Sequence, residues 1–390
     1  MHQVGYYAIP LKSADQSLGQ LLVKDIDPFL CTHINVAFAT IEENELRPIQ
    51  ASDVEVYKDA IALKKQNPNL KVLLSVGGAL ASSGFSDLVR DPKAVDSFSK
   101  NTVKFLQTYG FDGIDLDWEF PAYPWPKADS REKQWFTNLL EQLNCQLKSS
   151  PTTPLLLTLA VASPNSIVRG SYEVDKIAKY VDFVSMMGYD FHFFSLLSPF
   201  TGYNAPLARR SSEIGCFSTR NIEWCAKNWI KKGMPKDKLV IGVPTYGRTW
   251  KLLNQAWHSV GSLAVGKGMY NGALSYPQAY FFIKEGAEHH MDSESKVPFA
   301  WRGRDWVSYE DSDSIEQKAK WIRDNGYAGV MAWSLNSDDW AGECSGKKFE
   351  LHNIIKEVIT ERLCEAGAEH LPPSSDRTGS EEEILAGVGV

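Results

Sequence analysis

Nothing in the chain is long and apolar enough to cross a membrane: no run of about eighteen apolar residues occurs in it. It has no basic excess. Lys and Arg number 41 against 48 Asp and Glu, and the formal net charge of −7 argues against a nucleic-acid partner. Cysteine is scarce. Cys31, Cys145, Cys216, Cys225, Cys344 and Cys364 are scattered through 390 residues without zinc-ligand spacing, so no metal site is expected, and no motif implies an organic cofactor. Asn-x-Ser/Thr acceptors are absent, which leans away from a glycosylated exterior. Met1-His2-Gln3-Val4-Gly5 enters an apolar strand with no secretory segment before it, so the sequence reads as a mature form or as an intracellular protein. It shows no internal repeat and no second binding module, and a monomer is expected.

What is present is material for a large core, with a regular rhythm. Hydrophobic residues make up 43% and aromatics 12%, and twelve Trp exceed what such a core needs, which suggests flat ligand-facing surfaces. Short β-rich apolar runs fall at 3–8, 33–39, 71–76, 113–117, 155–161, 183–187, 239–243 and 329–333, with amphipathic helical stretches such as 95–109 and 131–147 between them. Their spacing is mostly about 30 to 40 residues, as βα units require. Eight such strands predict an α/β fold, a (β/α)8 TIM barrel. The last gap breaks the rhythm, with roughly 85 residues between Val243 and Gly329. Its excess, 251–313, is rich in Gly, Tyr and Phe and reads as a small α+β insertion domain between strands 7 and 8. The barrel would comprise 1–250 and 314–365, and the polar stretch 366–390 would be a disordered tail.

The most informative segment is Phe111-Asp112-Gly113-Ile114-Asp115-Leu116-Asp117-Trp118-Glu119-Phe120-Pro121. Strand side chains alternate faces, so Asp115, Asp117 and Glu119 share one face while Ile114, Leu116 and Trp118 take the other. Three ionised carboxylates in a row repel one another, so at least one proton is retained near neutral pH. A proton held beside a charged neighbour is what a general acid needs. A calcium loop would carry polar residues between its ligands. Here those positions want burial, which also speaks against an exposed acidic edge. Catalytic residues of barrels gather at the C-terminal ends of strands, and Asp117 and Glu119 end the fourth.

At these residues the chain resembles the family 18 glycoside hydrolases of animal type, the chitinases and their lectin-like relatives, over roughly 3–358. Asp112 to Glu119 matches the family's Asp-x-x-Asp-x-Asp-x-Glu signature in full. Ser75-Val76-Gly77-Gly78, Met187-Gly188-Tyr189-Asp190, Pro244-Thr245-Tyr246-Gly247-Arg248 and Met331-Ala332-Trp333 match its motifs on the third, sixth, seventh and eighth strands. The inserted segment is similar to the insertion domain of members with deep clefts. The resemblance implies an endo-acting chitinase whose substrate, chitin or chito-oligosaccharide, assists its own cleavage. Glu119 would be the acid, and Asp117 and Tyr189 would position the N-acetyl group. Asp115 would share a proton with Asp117. Asp190 and Arg248 would hold sugar hydroxyls and acetyl groups, Tyr246 would line the cleft with Met187 and Gly78 beside it, and Trp333 would floor it. His192 reads as a packing residue, because Glu119 already supplies the proton.

The chain also departs from the family. Many members carry an aromatic after the two glycines of the third strand, where Ala79 and Leu80 stand here. Tyr6, Phe38, Trp125, Trp250 and Trp340 are the candidates to replace that stacking surface. The resemblance further implies disulfides joining an N-terminal-strand position to Cys31, and the position of Tyr280 to Cys344. Gly5 and Tyr280 leave both bridges without one half. The family points to secretion and these losses to a reducing compartment, so both stay open. Two rival functions remain: a chitin-binding lectin without turnover, and a hydrolase of another N-acetylglucosamine glycan. Glu119, intact together with Asp117, Tyr189 and Asp190, favours the enzyme.

Overall fold

Each of the eight apolar runs folds as a strand, and the eight close on themselves. The structure, a computed structural model, describes residues 1–10, 20–79, 82–123, 128–149 and 154–368. Leu80, Trp125 and positions 369–390 lie outside the described residues. The chain forms β1 (His2–Ala8), β2 (His33–Glu42), β3 (Glu45–Pro48), β4 (Lys71–Gly77), β5 (Gly113–Asp117), β6 (Leu156–Val161), β7 (Phe183–Met186) and β8 (Leu239–Pro244). It continues through β9 (Tyr246–Leu252), β10 (Ala264–Lys267), β11 (Ala273–Ser275), β12 (Glu288–Asp292), β13 (Val297–Arg302), β14 (Asp305–Ser308) and β15 (Gly329–Trp333). Neighbours in the main sheet run β1-β15-β8-β7-β6-β5-β4-β2, and β1 pairs in parallel with β2 to close a (β/α)8 barrel. The expected strand ends hold to within a residue, except that β2 runs on to Glu42, where it turns back to pair with β3.

Burial on both faces explains why these strands are near-continuous apolar runs. Outward-facing Ile114, Leu116 and Trp118 are buried, and the Trp118 ring stacks on Phe85 at 5.2 Å and meets Phe136 edge-on at 5.5 Å. Packing of this kind fixes which way the opposite side chains of β5 point. The helix Pro92–Tyr109 starts three residues before the predicted 95 because Asp91 caps it, accepting from the Lys93 N–H, with Pro92 preset for a first turn. Inside the barrel, Val4, Tyr6, Ala37, Phe183, Val240 and Met331 form a plug, topped by half-buried Phe38, Met187, Tyr189 and Trp333.

The long connection between β8 and β15 builds a second, antiparallel sheet in the order β10-β9-β14-β13-β12, with β11 also paired to β9 and the helix Tyr276–Lys284 alongside. This sheet starts earlier than position 251: β9 follows β8 after a single residue, so Tyr246 and Arg248 stand on its first strand. The last helix, Glu350–Ala368, runs through 366–368, so helix replaces the start of the expected tail. Cys31, Cys145, Cys216, Cys225 and Cys344 are free thiols. A Cβ added at Gly5 would sit 2.9 Å from the Cys31 sulfur, so position 5 faces Cys31 but brings no thiol to it. Among the described residues no helix is long and apolar enough to cross a membrane.

Candidate active site

The acidic row lies where the pleat predicts. Asp115 and Asp117 are buried on the inner face of β5, and Glu119 is half-buried two residues further on at the barrel mouth. Gly77 and Gly78 make room for them. Both have positive φ, +106° and +75°. A Cβ at Gly77 would stand 2.3 Å from the Asp117 carbonyl oxygen, and one at Gly78 would stand 2.7 Å from the Phe38 ring. The Gly78 N–H donates to that same carbonyl at 2.8 Å. Gly78 is itself buried, so it shapes the loop at the end of β4 and presents no surface to a ligand.

The three carboxyl groups live in different surroundings. Asp115 is filled by protein: Tyr6 and Ser75 hydroxyls donate to Oδ2 and the Thr158 hydroxyl to Oδ1, each at 2.7 Å. Burial raises its affinity for a proton, and these donors oppose the rise. Asp115 thus takes three hydroxyl donors. Asp117, 4% exposed, has no donor on Oδ1 among the described residues. Burial first, then the charges of Glu119 and Asp115, push its pKa well above the usual carboxylate range. Glu119 is pushed up to about 7, by burial and then by Asp190. Proton affinity is thus raised at Asp117 and Glu119, while three hydroxyl donors hold Asp115 from below.

Around Glu119 stand groups from distant strands. Tyr189 follows β7, its ring edge-on to Tyr246 at 6.0 Å, and among the described residues its hydroxyl reaches only the Met331 sulfur, at 3.9 Å. Burial, Asp117 and Glu119 hold that hydroxyl protonated. Asp190 takes a left-handed backbone, φ 58°, and accepts from Tyr246 at 2.6 Å and bidentately from Arg248 at 2.7 Å through both oxygens. Asp190 and Arg248 thus pair first with each other, a planar fork that sets both rings and charges beside the acid. Half-buried Trp333 ends β15 with Phe38 stacked on it at 5.5 Å. Half-buried Met187 completes the rim, its carbonyl accepting from the Ser163 hydroxyl. Among the described residues no group of three or more His, Cys, Asp or Glu is arranged to hold a metal ion.

Three expectations need correction. Tyr6 is no stacking surface: it is 1% exposed, lies beneath Trp333 at 5.3 Å and serves Asp115. Trp250 is fully buried against Trp306 in the second sheet. Trp340 packs half-buried against the main core. Part of the surplus of Trp is structural, since Trp118, Trp229, Trp250 and Trp306 are all buried. Of the stacking candidates among the described residues, Phe38 alone stands at the site. His192 bonds the Tyr203 carbonyl through Nδ1 at 3.0 Å, and burial lowers its pKa to about 4, so it is neutral. Sequence reasoning misses Thr158 and Ser82, and names Ser75 only within the third-strand motif. Ser82 accepts from the Glu119 N–H at 3.1 Å. Lone hydroxyls inside the apolar runs of β4 and β6 were the available signal. Ser75, Asp115 and Thr158 are direct register partners across three strands.

Fold and site together define a (β/α)8 barrel of glycoside-hydrolase type. Residues 3–338 match Glycosyl hydrolases family 18, and the chain belongs to that family. It is 37% identical over 348 residues to mouse chitotriosidase-1, covering 86% of this chain and 73% of that protein. Human YKL-39, described as a pseudo-chitinase with retained chitooligosaccharide binding, superposes with a TM-score of 0.86 at 34% identity, covering 92% of this chain and 99% of that one. The Group IV chitinase of Ostrinia furnacalis in complex with allosamidin gives a TM-score of 0.85 at 32% identity over the same shares.

Proposed function

We propose that this chain is a chitinase that hydrolyses β-1,4 bonds between N-acetylglucosamine units with retention, the substrate's own acetamido group acting as nucleophile. The observation that carries the reading is the pairing of an acid with an open acceptor: Glu119 holds a proton up to about pH 7, and two residues before it the buried Asp117 Oδ1 has no donor among the described residues. Glu119 gives its proton to the glycosidic oxygen as the C1–O bond breaks. The acetamido carbonyl oxygen closes on C1, forming an oxazolinium ion. Asp117 accepts from the acetamido N–H and stabilises the growing positive charge, and the Tyr189 hydroxyl donates to the acetamido oxygen. Water then attacks C1 with Glu119, now a carboxylate, as base, and two inversions give net retention. Trp333 and Phe38 floor the sugar, and the sheet carrying Tyr246 and Arg248 forms one wall of the cleft.

The rival reading, a lectin, is favoured by the YKL-39 likeness, because a family member can bind without turnover. Glu119 is the feature against it. The test is product analysis on chitin oligomers. The β-anomer is expected first, with fully de-acetylated oligomers left intact. Inverted product, or equal cleavage of de-acetylated chains, rules out the acetamido nucleophile.

The same site predicts a pH profile. With Glu119 titrating at about 7, kcat/KM falls on the alkaline side as the acid loses its proton. Asp190 helps hold that proton by charge. Asp190→Asn is expected to lower the Glu119 pKa and move the alkaline limb to lower pH by about half a unit to one unit. A limb that stays put or moves upward would remove Asp190 from the tuning of the acid.

A further inference from the structure

The connection after β7 carries two leucines that no packing argument explains: Leu196 and Leu197 are 88% and 99% exposed. They form the tip of a tight turn in which Ser195 and Ser198 exchange backbone hydrogen bonds. The turn is braced and does not dangle. Phe200 bridges Leu263, the Thr201 N–H donates to the Ser262 carbonyl at 2.9 Å, and the Ala264 N–H donates to the Pro199 carbonyl at 2.7 Å. Half-exposed Phe193, Phe200 and Val265 extend the apolar surface on either side. Single exposed leucines are ordinary, but a braced apolar rim of this kind marks a contact surface. The patch is continuous with the cleft, because the Arg248 guanidinium lies 5.9 Å over the Phe193 ring and also clasps Asp190.

The charge pattern selects the occupant. Residues 191–207 contain no Asp, Glu, Lys or Arg, and of the charged groups beside them Arg210 is paired with Glu213 and Arg248 with Asp190 within the protein. A segment that seeks an anionic membrane surface combines apolar anchors with a basic flank, which is missing within this one. An uncharged polymer with apolar C–H faces and acetyl methyls matches an uncharged, apolar rim. We infer that the Leu196–Leu197 turn is a docking surface for the packed, water-insoluble face of the N-acetylglucosamine polymer, set beside the cleft to hold the protein on the solid while one chain is drawn in. This rests on the substrate class proposed above.

The test compares the parent protein with the Leu196→Ser, Leu197→Ser double variant, whose changed side chains are already in water and leave the core untouched. Co-sedimentation with insoluble chitin is measured beside turnover of soluble chitotetraose, size-exclusion elution and flotation with phosphatidylcholine vesicles. The expected result is retention on the solid weakened about tenfold, with soluble turnover unchanged. Undiminished retention overturns the inference. So does a loss of soluble turnover, a change in oligomeric size or a loss of vesicle binding on substitution, which would assign the leucines to the cleft, to a second copy or to lipid. If the parent is held on chitin through the leucines but cleaves no chitotetraose, the docking surface stands and the catalytic reading falls. If it cleaves chitotetraose while both proteins sediment alike, the docking surface falls alone.

Discussion

Glu119→Gln is expected to lower turnover of chito-oligosaccharides by roughly three orders of magnitude, within the range for removal of a general acid. Affinity for the same oligosaccharides should stay within a few fold. Gln matches the carboxyl in shape but has no proton to give to a leaving oxygen. The measurement is single-turnover hydrolysis beside calorimetric binding. A variant that turns over as the parent does would strip Glu119 of its role, and one that no longer binds would make it a recognition group. The same substitution carries an independent stability signature. The folded Glu119 pKa, about 7, lies above its unfolded value of about 4.3, so the folded state binds the extra proton between them. Stability from that proton is fully present below about pH 4 and is lost as pH rises through about 7, at about 1.4 kcal/mol per unit. Glu119→Gln should therefore unfold at a higher temperature than the parent at pH 8 and at the same temperature at pH 4.

Much of the barrel was legible because strands buried on both faces leave unmistakable apolar runs, and the acidic row because a period of two sorts Asp115, Asp117 and Glu119 from Ile114, Leu116 and Trp118 without reference to anything distant. What was not legible depends on contacts far apart in sequence. Tyr6 and Trp250 are large aromatics near motif residues, and nothing local says what covers them. Tyr6 turns inward beneath Trp333, 327 positions away. Trp250 shares the parity of Arg248 on β9, yet it is sealed by a cluster that includes Tyr203 and Phe194 from the β7 connection. The mutual capture of Asp190 and Arg248 spans 58 positions. The second sheet began early for a similar reason: the segment 246–252 pairs with β14 and β11, which lie downstream, and only that pairing separates it from the barrel strand it follows.

The foundation of the acidic row gives the second large effect. Asp115→Ala is expected to destabilise the protein by about 3–5 kcal/mol, because it leaves the buried Tyr6, Ser75 and Thr158 hydroxyls each without its 2.7 Å acceptor. Asp115→Asn keeps one carbonyl acceptor, and its amide can donate to a hydroxyl that reverses, so the expected loss is only about 1–2 kcal/mol. Urea denaturation of both variants at one pH measures the difference. An Ala variant within about 1 kcal/mol of the parent would mean that the three hydroxyls find other partners. The comparison also separates structure from chemistry. Asp115 is one of the charges that raise the Asp117 pKa, and both substitutions remove it, so a shared shift of the acidic limb of kcat/KM reports electrostatics. Unfolding at lower urea in the Ala variant alone reports the lost hydroxyl network. Were the Asn variant the less stable of the two, Asp115 would be holding the barrel through its charge and not through its acceptors.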